Sequence, residues 1–221
     1  MMDIKPKAFL FDLNGTMIND MAFHNHAWHD ILTKDLGANI SFAAVKKEMY
    51  GKNQELLERV FGVGYFSQEQ IDQISIEKER RYQAAYKEHL TLIPGLKEFM
   101  NRAKQANISM AIGSAAIPFN INFVLDNLNI RSYFDAIVSA EDVKKSKPDP
   151  ETFIKGANIL GITPDECIVF EDAPKGVEAA QNAGMRCVAI TTMHTADEFT
   201  AYQNIMAFID DYNDPVLNQL F

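Results

Sequence analysis

The sequence predicts an α/β fold, a doubly wound parallel sheet interrupted by an α-helical insert. Three observations predict it. Short runs that are apolar throughout recur along the chain, helical segments with clear end signals separate the later ones, and one long stretch carries helical patterns but no strand. A strand that is apolar without alternation suits burial on both faces, the condition of strands in a parallel sheet. Strand and helix alternating then imply a doubly wound sheet.

Taken in order, the first run is Ala8 to Phe11, followed by Ser109 to Ile112, Ala136 to Val138, Cys167 to Phe170, Cys187 to Ile190 and Ile205 to Ile209. Asp149-Pro150-Glu151 reads as a helix start, with a capping carboxylate, a proline in the first turn and an acid that suits the helix dipole. The helix carries Phe153, Ile154, Ala157 and Leu160 on one stripe and stops at Gly161. Thr163-Pro164-Asp165-Glu166 repeats the start signal as a capping box. A further helix from Pro174 carries Val177 and Ala180 and ends at Gly184.

From about Asp20 to Glu88 the rhythm breaks into helical patterns: Trp28, Ile31 and Leu32; then Leu56, Leu57, Val60 and Phe61; then a capping box of Ser67 with Gln70 leading to Ile71 and Ile74. The charged run Glu77-Lys78-Glu79-Arg80-Arg81 reads as an exposed helix face. Pro94-Gly95 marks the return of the sheet. The expected domains are therefore a core over 1–18 and 91–221 and a helical insert over 19–90.

Composition bounds the function. Against 21 Lys+Arg stand 30 Asp+Glu, a formal net charge of −9. That excess argues against nucleic acid and anionic membrane as partners, since phosphate polymers demand clustered cations; a small phosphate substrate needs only one or two. No uncharged apolar run approaches the roughly 18 residues of a membrane span, and Met1 to Lys7 lacks a leader's apolar stretch. Cys167 and Cys187 both sit in apolar runs and read as reduced core thiols. A cytoplasmic monomer is the expectation.

The chemistry-bearing residues sit at strand ends, where open α/β sheets bind ligands. Asp12 follows the first strand, in Phe11-Asp12-Leu13-Asn14-Gly15-Thr16. A carboxylate there can attack phosphorus and can ligate Mg²⁺. Ser114 ends the second core strand and offers a hydroxyl and backbone N–H groups to a phosphoryl oxygen. Lys147, in Ser146-Lys147-Pro148, is a point charge able to neutralise nucleophile and phosphoryl group. Glu171-Asp172 follows the fourth strand and supplies hard oxygen ligands. His24, His26 and His29 do not complete a zinc pattern, because no carboxylate or Cys set joins them.

Asp12, Ser114, Lys147 and Glu171-Asp172 in this order resemble the haloacid dehalogenase superfamily, in its β-phosphoglucomutase-like branch, and the resemblance runs from Phe9 to near Ile209. It implies a Rossmann-like core whose helical insert is a cap. It implies Asp12 as nucleophile and Mg²⁺ ligand, Asp172 with Glu171 completing the metal site, and Ser114 and Lys147 holding the transferring phosphoryl group. His24 and Trp28 match the pattern after the first motif, Tyr50-Gly51-Lys52-Asn53 looks like the substrate loop, and Ala115 joins the substrate-binding positions beside Ser114.

Two departures qualify the resemblance. The family's phosphatases and mutases usually carry a second Asp two residues after the nucleophile, as general acid/base; here Asn14 stands there. Its backbone carbonyl remains a metal ligand, but its amide delivers no proton. Substrates whose leaving groups need no proton, C–P or C–halogen cleavage of the kind relatives without the second Asp perform (with Lys52 as the one candidate cap lysine), a substitute acid such as Asp20 or His24, and deamidation at Asn14-Gly15 are the competing accounts. The branch's mutases also hold a second phosphate with a cap-loop Arg and polar residues after the motif-two Ser, whereas this chain has Gln54 and then Ala115, Ala116, Ile117 and Pro118. The expectation is accordingly a Mg²⁺-dependent phosphohydrolase for a small phosphorylated metabolite such as a sugar phosphate. A β-phosphoglucomutase and a binding protein that retains the fold without full catalysis are the alternatives.

Overall fold

A computed structural model describes residues 5–221; Met1 to Ile4, on which part of the no-leader expectation falls, lie outside the described residues. The chain divides into two compact units, one reaching to Asn19 and resuming over Thr91–Phe221, the other spanning Asp20–Leu90.

The first unit is built on six strands, β1 Ala8–Phe11, β2 Ser109–Gly113, β3 Ala136–Val138, β4 Cys167–Glu171, β5 Arg186–Ile190 and β6 Ile205–Ile209. All pair in parallel, in the order β3-β2-β1-β4-β5-β6, which is the classic doubly wound order. Strand alternation explains the unbroken apolar runs. Ala8 and Leu10 face a core shared with Phe153, Ala157, Val177 and Ala180, from helices α7 (Glu151–Leu160) and α8 (Pro174–Asn182). Phe9 and Phe11 point the other way, into an aromatic cluster with Phe99, Phe170 and Tyr212. Each such ring contributes roughly 1.5–3 kcal/mol by its burial. Two further helices of this unit, α5 (Leu96–Gln105) and α6 (Pro118–Asn127), follow the return of the chain and β2.

The start of α7 falls one residue later than expected, with Pro150 at the N-cap, while Asp149 Oδ1 still accepts from the Glu151 N–H at 3.0 Å. The second start signal gives a different result. Thr163 Oγ1 donates to Glu166 Oε2 at 3.1 Å instead of capping a backbone N–H, and only a 3₁₀ turn forms over Pro164–Glu166. The turn is short because β4 begins at Cys167 and its pairing with β1 claims the backbone from there.

The helical unit contains α1 (Met21–Asp30), α2 (Phe42–Lys47), α3 (Asn53–Phe61) and α4 (Gln68–Tyr86). Trp28, Ile31, Leu32, Val45, Leu56, Leu57 and Ile71 form its core. Ser67 and Gln70 close the expected capping box at the start of α4. The expectation that Glu77–Arg81 is wholly exposed is corrected here. Lys78 and Glu79 are buried, with 2% and 3% exposure, because Ile71, Ser75, Lys78, Tyr82 and Tyr86 recur at helical spacing on the inward face of α4. No helix among the described residues is long and apolar enough to cross a membrane.

Candidate active site

In a doubly wound sheet the ligand crevice opens beyond the carboxyl ends of the two strands where the order reverses. Here those strands are β1 and β4, whose pairing runs in register to Phe11 and Phe170. The Asp12 N–H donates to the Phe170 carbonyl at 3.0 Å, so the ladder carries Asp12 to the rim. Glu171 and Asp172 emerge beside it from β4. On the other flank β2 ends one residue before Ser114, whose N–H donates to Val138 and whose hydroxyl accepts from the Ala116 N–H at 3.1 Å. Ala115, half-buried between them, has only its peptide to offer a ligand.

Lys147 joins the two strand ends. Its Nζ donates to Asp12 Oδ1 at 2.7 Å and to Glu171 Oε1 at 2.8 Å. Burial works against its charge, but the carboxylates of Asp12 and then Glu171 outweigh it and hold the ammonium above the usual lysine range. The second oxygen of Glu171 accepts from the Ala173 N–H at 2.8 Å, at the positive end of α8. Gly176 makes room for it: a Cβ there would stand 1.6 Å from Glu171 Oε1.

Asp172 is tied to the loop after Asp12. Thr16 Oγ1 donates to its Oδ1 at 3.1 Å, and a Cβ on Gly15 would stand 2.1 Å from its Oδ2. Gly15 also has φ +83°, a conformation that side chains rarely adopt. Burial foremost, then Glu171, then Asp12 push Asp172 well above the usual carboxylate range.

Asp12, Glu171 and Asp172 are thus three buried carboxylates against one ammonium, a formal excess of two negative charges. A hard divalent cation matches both that excess and the oxygen donors. Among the described residues no three His, Cys, Asp or Glu side chains are gathered closely enough to hold a metal alone. The fit therefore rests on carboxylates supplemented by a backbone carbonyl and water, the mixed shell that Mg²⁺ favours.

The loop itself is pinned by distant groups. Thr192 donates its hydroxyl to Gly15 O at 2.6 Å, Tyr212 to Thr16 O at 3.1 Å, and Ile93 its N–H to Met17 O at 2.9 Å. Sequence reasoning missed Thr16, Thr192 and Tyr212, and no motif marks the last two, because they recognise backbone. Asn14 forms a bridge with Ile18, and the Gly15 N–H is donated to Ile18 O at 2.8 Å. Deamidation needs that N–H to attack the Asn14 side chain, so the loop geometry opposes it.

The remaining expected residues lie in the helical unit. His24 on α1 stacks on Tyr82 with ring centroids 3.7 Å apart, and its Nδ1 lies 2.6 Å from Lys78 Nζ. Asp20 Oδ2 lies 3.3 Å from the other ring nitrogen and accepts the Tyr82 hydroxyl at 2.5 Å. Asn53 Nδ2 donates to Glu79 Oε1 at 2.8 Å, and Lys78 Nζ reaches the same oxygen at 3.0 Å. Burial is the foremost influence on Lys78 and lowers it below the usual lysine range, outweighing Glu79. Gly51 has φ +74°, and the Lys52 N–H donates to Glu55 at the start of α3. His26 and His29 both pack on Phe42.

A buried carboxylate, a bridging lysine and an acidic pair at the switch point are joined by one decisive match: the profile of the haloacid dehalogenase-like hydrolases fits residues 9–190. The chain belongs to that family. As a haloacid dehalogenase-like hydrolase it is similar to the chloroplastic 5-amino-6-(5-phospho-D-ribitylamino)uracil phosphatase of Arabidopsis thaliana, 29% identical over 91% of this chain and 54% of that protein. It is also similar to the beta-phosphoglucomutase of Bacillus subtilis, 30% identical over 83% of each chain. Among solved structures, a family IA variant 3 hydrolase of this superfamily from Entamoeba histolytica superposes with a TM-score of 0.86, at 26% identity, over 97% of both chains.

Proposed function

We propose that this haloacid dehalogenase-like hydrolase is a Mg²⁺-dependent phosphohydrolase acting on a small phosphorylated metabolite, with Asp12 as nucleophile. The observation that carries the reading is Lys147 bridging Asp12 and Glu171 at the β1/β4 switch point. An Asp12 oxygen attacks phosphorus as the bond to the leaving oxygen breaks, forming an aspartyl phosphate. Water then attacks phosphorus and returns the free carboxylate and inorganic phosphate. Lys147 keeps the nucleophile oriented and offsets charge on the phosphoryl oxygens, which Ser114 and the peptide of Ala115 hold. Asp12, Asp172 and the Asn14 carbonyl would hold Mg²⁺, while Glu171 is turned to Lys147 and α8. When bound, the ion would supply electrostatic stabilisation to the transferring group.

In this reading the core over 1–18 and 91–221 carries the chemistry and the helical insert over 19–90 is a cap domain that contributes His24, Gly51, Lys52 and Asn53 to substrate binding. The phosphatases among the relatives support hydrolysis of a phosphorylated metabolite such as a sugar phosphate. A mutase is less well supported: Gln54 stands where mutases place an Arg, and its amide donates to Glu58 at 2.8 Å.

The test is phosphate release from a panel of phosphorylated metabolites with Mg²⁺ and with EDTA, for the parent and Asp12→Asn. Turnover lost with EDTA and with Asp12→Asn supports the reading. Turnover that survives Asp12→Asn overturns it.

A further inference from the structure

One side chain of the helical unit holds a turn that has no helix or strand of its own. Residues 48–52 join α2 to α3, and Arg59 reaches back to them from α3, which Leu56 and Leu57 anchor in the unit's core. Its Nε donates to Glu48 Oε2 at 2.8 Å, and its Nη2 donates to the carbonyls of Glu48 and Tyr50, each at 2.7 Å. The guanidinium also lies over the Tyr50 ring, 3.8 Å from the centroid. An exposed ion pair contributes little by itself. Here Arg59 and Glu48 are part-buried, and two of the three acceptors are carbonyls two residues apart, which suit a planar fork and not an ammonium.

The held carbonyls lead straight into Gly51, Lys52 and Asn53. Gly51 takes φ +74° directly after Tyr50, beyond which the Lys52 N–H donates to Glu55 and the Asn53 amide to Glu79. The far end of the segment is thus tied to α3 and α4, and the near end to Arg59. The Tyr50 N–H, donated to the Glu48 carbonyl at 2.8 Å, closes within the turn and ties it to neither helix. We propose that Arg59 is a positioning residue: it holds the 48–51 turn in the conformation that presents Gly51, Lys52 and Asn53 to a substrate. The proposal rests on those three residues binding substrate, as read above, and adds the group that sets them. Arg59 touches no reacting atom in this role. It sets the fraction of molecules whose turn is ready to bind, and apparent affinity falls by that fraction.

Hydrogen exchange and steady-state kinetics on the parent, Arg59→Lys and Arg59→Met test it. Arg59→Lys keeps a charge beside Glu48 and gives up the paired carbonyl bonds. With one charge-assisted bond's share of the held state lost, the Tyr50 and Lys52 amides should exchange roughly 10–100-fold faster, while the α4 amides stay unchanged. The KM for whichever of fructose 1-phosphate, glucose 6-phosphate and p-nitrophenyl phosphate the parent turns over fastest should rise by a similar factor, with kcat unchanged. A merely structural role would instead reduce the active protein and so kcat, leaving KM where it is. Exchange at the parent's rate overturns the proposal. Faster exchange with an unmoved KM overturns Arg59's part in binding, and with it that of Gly51, Lys52 and Asn53, while leaving Asp12 as nucleophile intact. A parent inert to all three phosphates overturns the phosphohydrolase reading and this proposal with it. If Arg59→Met does not fold, Arg59→Lys decides, joined by Glu48→Gln, which weakens the same fork from its other side and should move both measures the same way.

Discussion

Replacing Lys147 with Met removes the cation and retains most of the aliphatic stem. Lys147, Asp12 and Glu171 have side chains exposed by only 9%, 10% and 2%, so the carboxylates left behind are poorly solvated. Removing one partner of a buried ion pair costs about 3–5 kcal/mol, chiefly through the stranded charge. In a chain of this size each kcal/mol moves the melting temperature by roughly 2–4 °C. Lys147→Met should therefore melt about 6–20 °C below the parent in metal-free buffer at pH 7.5.

The pH dependence separates charge from packing. Asp172 is raised above its unfolded value of about 3.9 by burial, Glu171 and Asp12, while Lys147 pulls it back. A raised carboxylate holds its proton more tightly folded than unfolded. It favours the fold fully at pH below the unfolded value, and that contribution is lost as pH climbs through the folded value. Removing Lys147 raises Asp172 further, so the penalty of Lys147→Met should be larger at pH 7.5 than at pH 5. Adding Glu171→Gln should return part of the loss. Thermal melts at both pH values decide the matter. A variant melting within about 2 °C of the parent refutes the stranded-charge account, and an equal penalty at both pH values refutes it in favour of lost packing on the Phe153 ring, which lies 4.6 Å from Nζ.

Mg²⁺ at about 100 times its Kd should stabilise the fold by about 2.7 kcal/mol, or roughly 5–11 °C; a melt unmoved by saturating Mg²⁺ contradicts the metal reading. Tyr212→Phe keeps the ring among Phe11, Phe99 and Phe170 but leaves the buried Thr16 carbonyl without its donor, at about 1–3 kcal/mol. Its melting temperature should fall and its Mg²⁺ affinity weaken, and a variant identical to the parent in both measures refutes the clamp.

What the sequence reveals depends on whether a residue's role leaves a periodic or positional trace. β1, β2, β4 and β5 are legible because burial on both faces removes polar residues from them almost entirely. Asp12, Ser114, Lys147, Glu171 and Asp172 are legible because polar residues interrupt or follow such runs where a parallel sheet opens to ligand. Thr163–Glu166 misleads, since the same capping letters serve a 3₁₀ turn when a strand begins immediately after. Lys78 and Glu79 mislead for another reason: local charge hides them, although the 71-75-78-82-86 spacing places Lys78 inward, where it meets His24. Thr192 and Tyr212 leave no trace, because their acceptors are carbonyls 177 and 196 residues away.

Those two hydroxyls bear on position 14. The carbonyls of Gly15, Thr16 and Met17 are each held by a group from elsewhere in the core, and the N–H of Gly15 by Ile18. The loop's path is thus fixed from outside by contacts to its backbone, which any side chain at 14 leaves in place. A carboxylate and an amide of nearly equal size can exchange at 14 while Asp12 and the Asn14 carbonyl keep their positions. The exchange acts on proton transfer: an Asp adds a group that gives and takes protons, and the Asn withholds it. Asn14→Asp should accordingly alter the leaving-group dependence far more than the melting temperature, as a site held by its backbone requires.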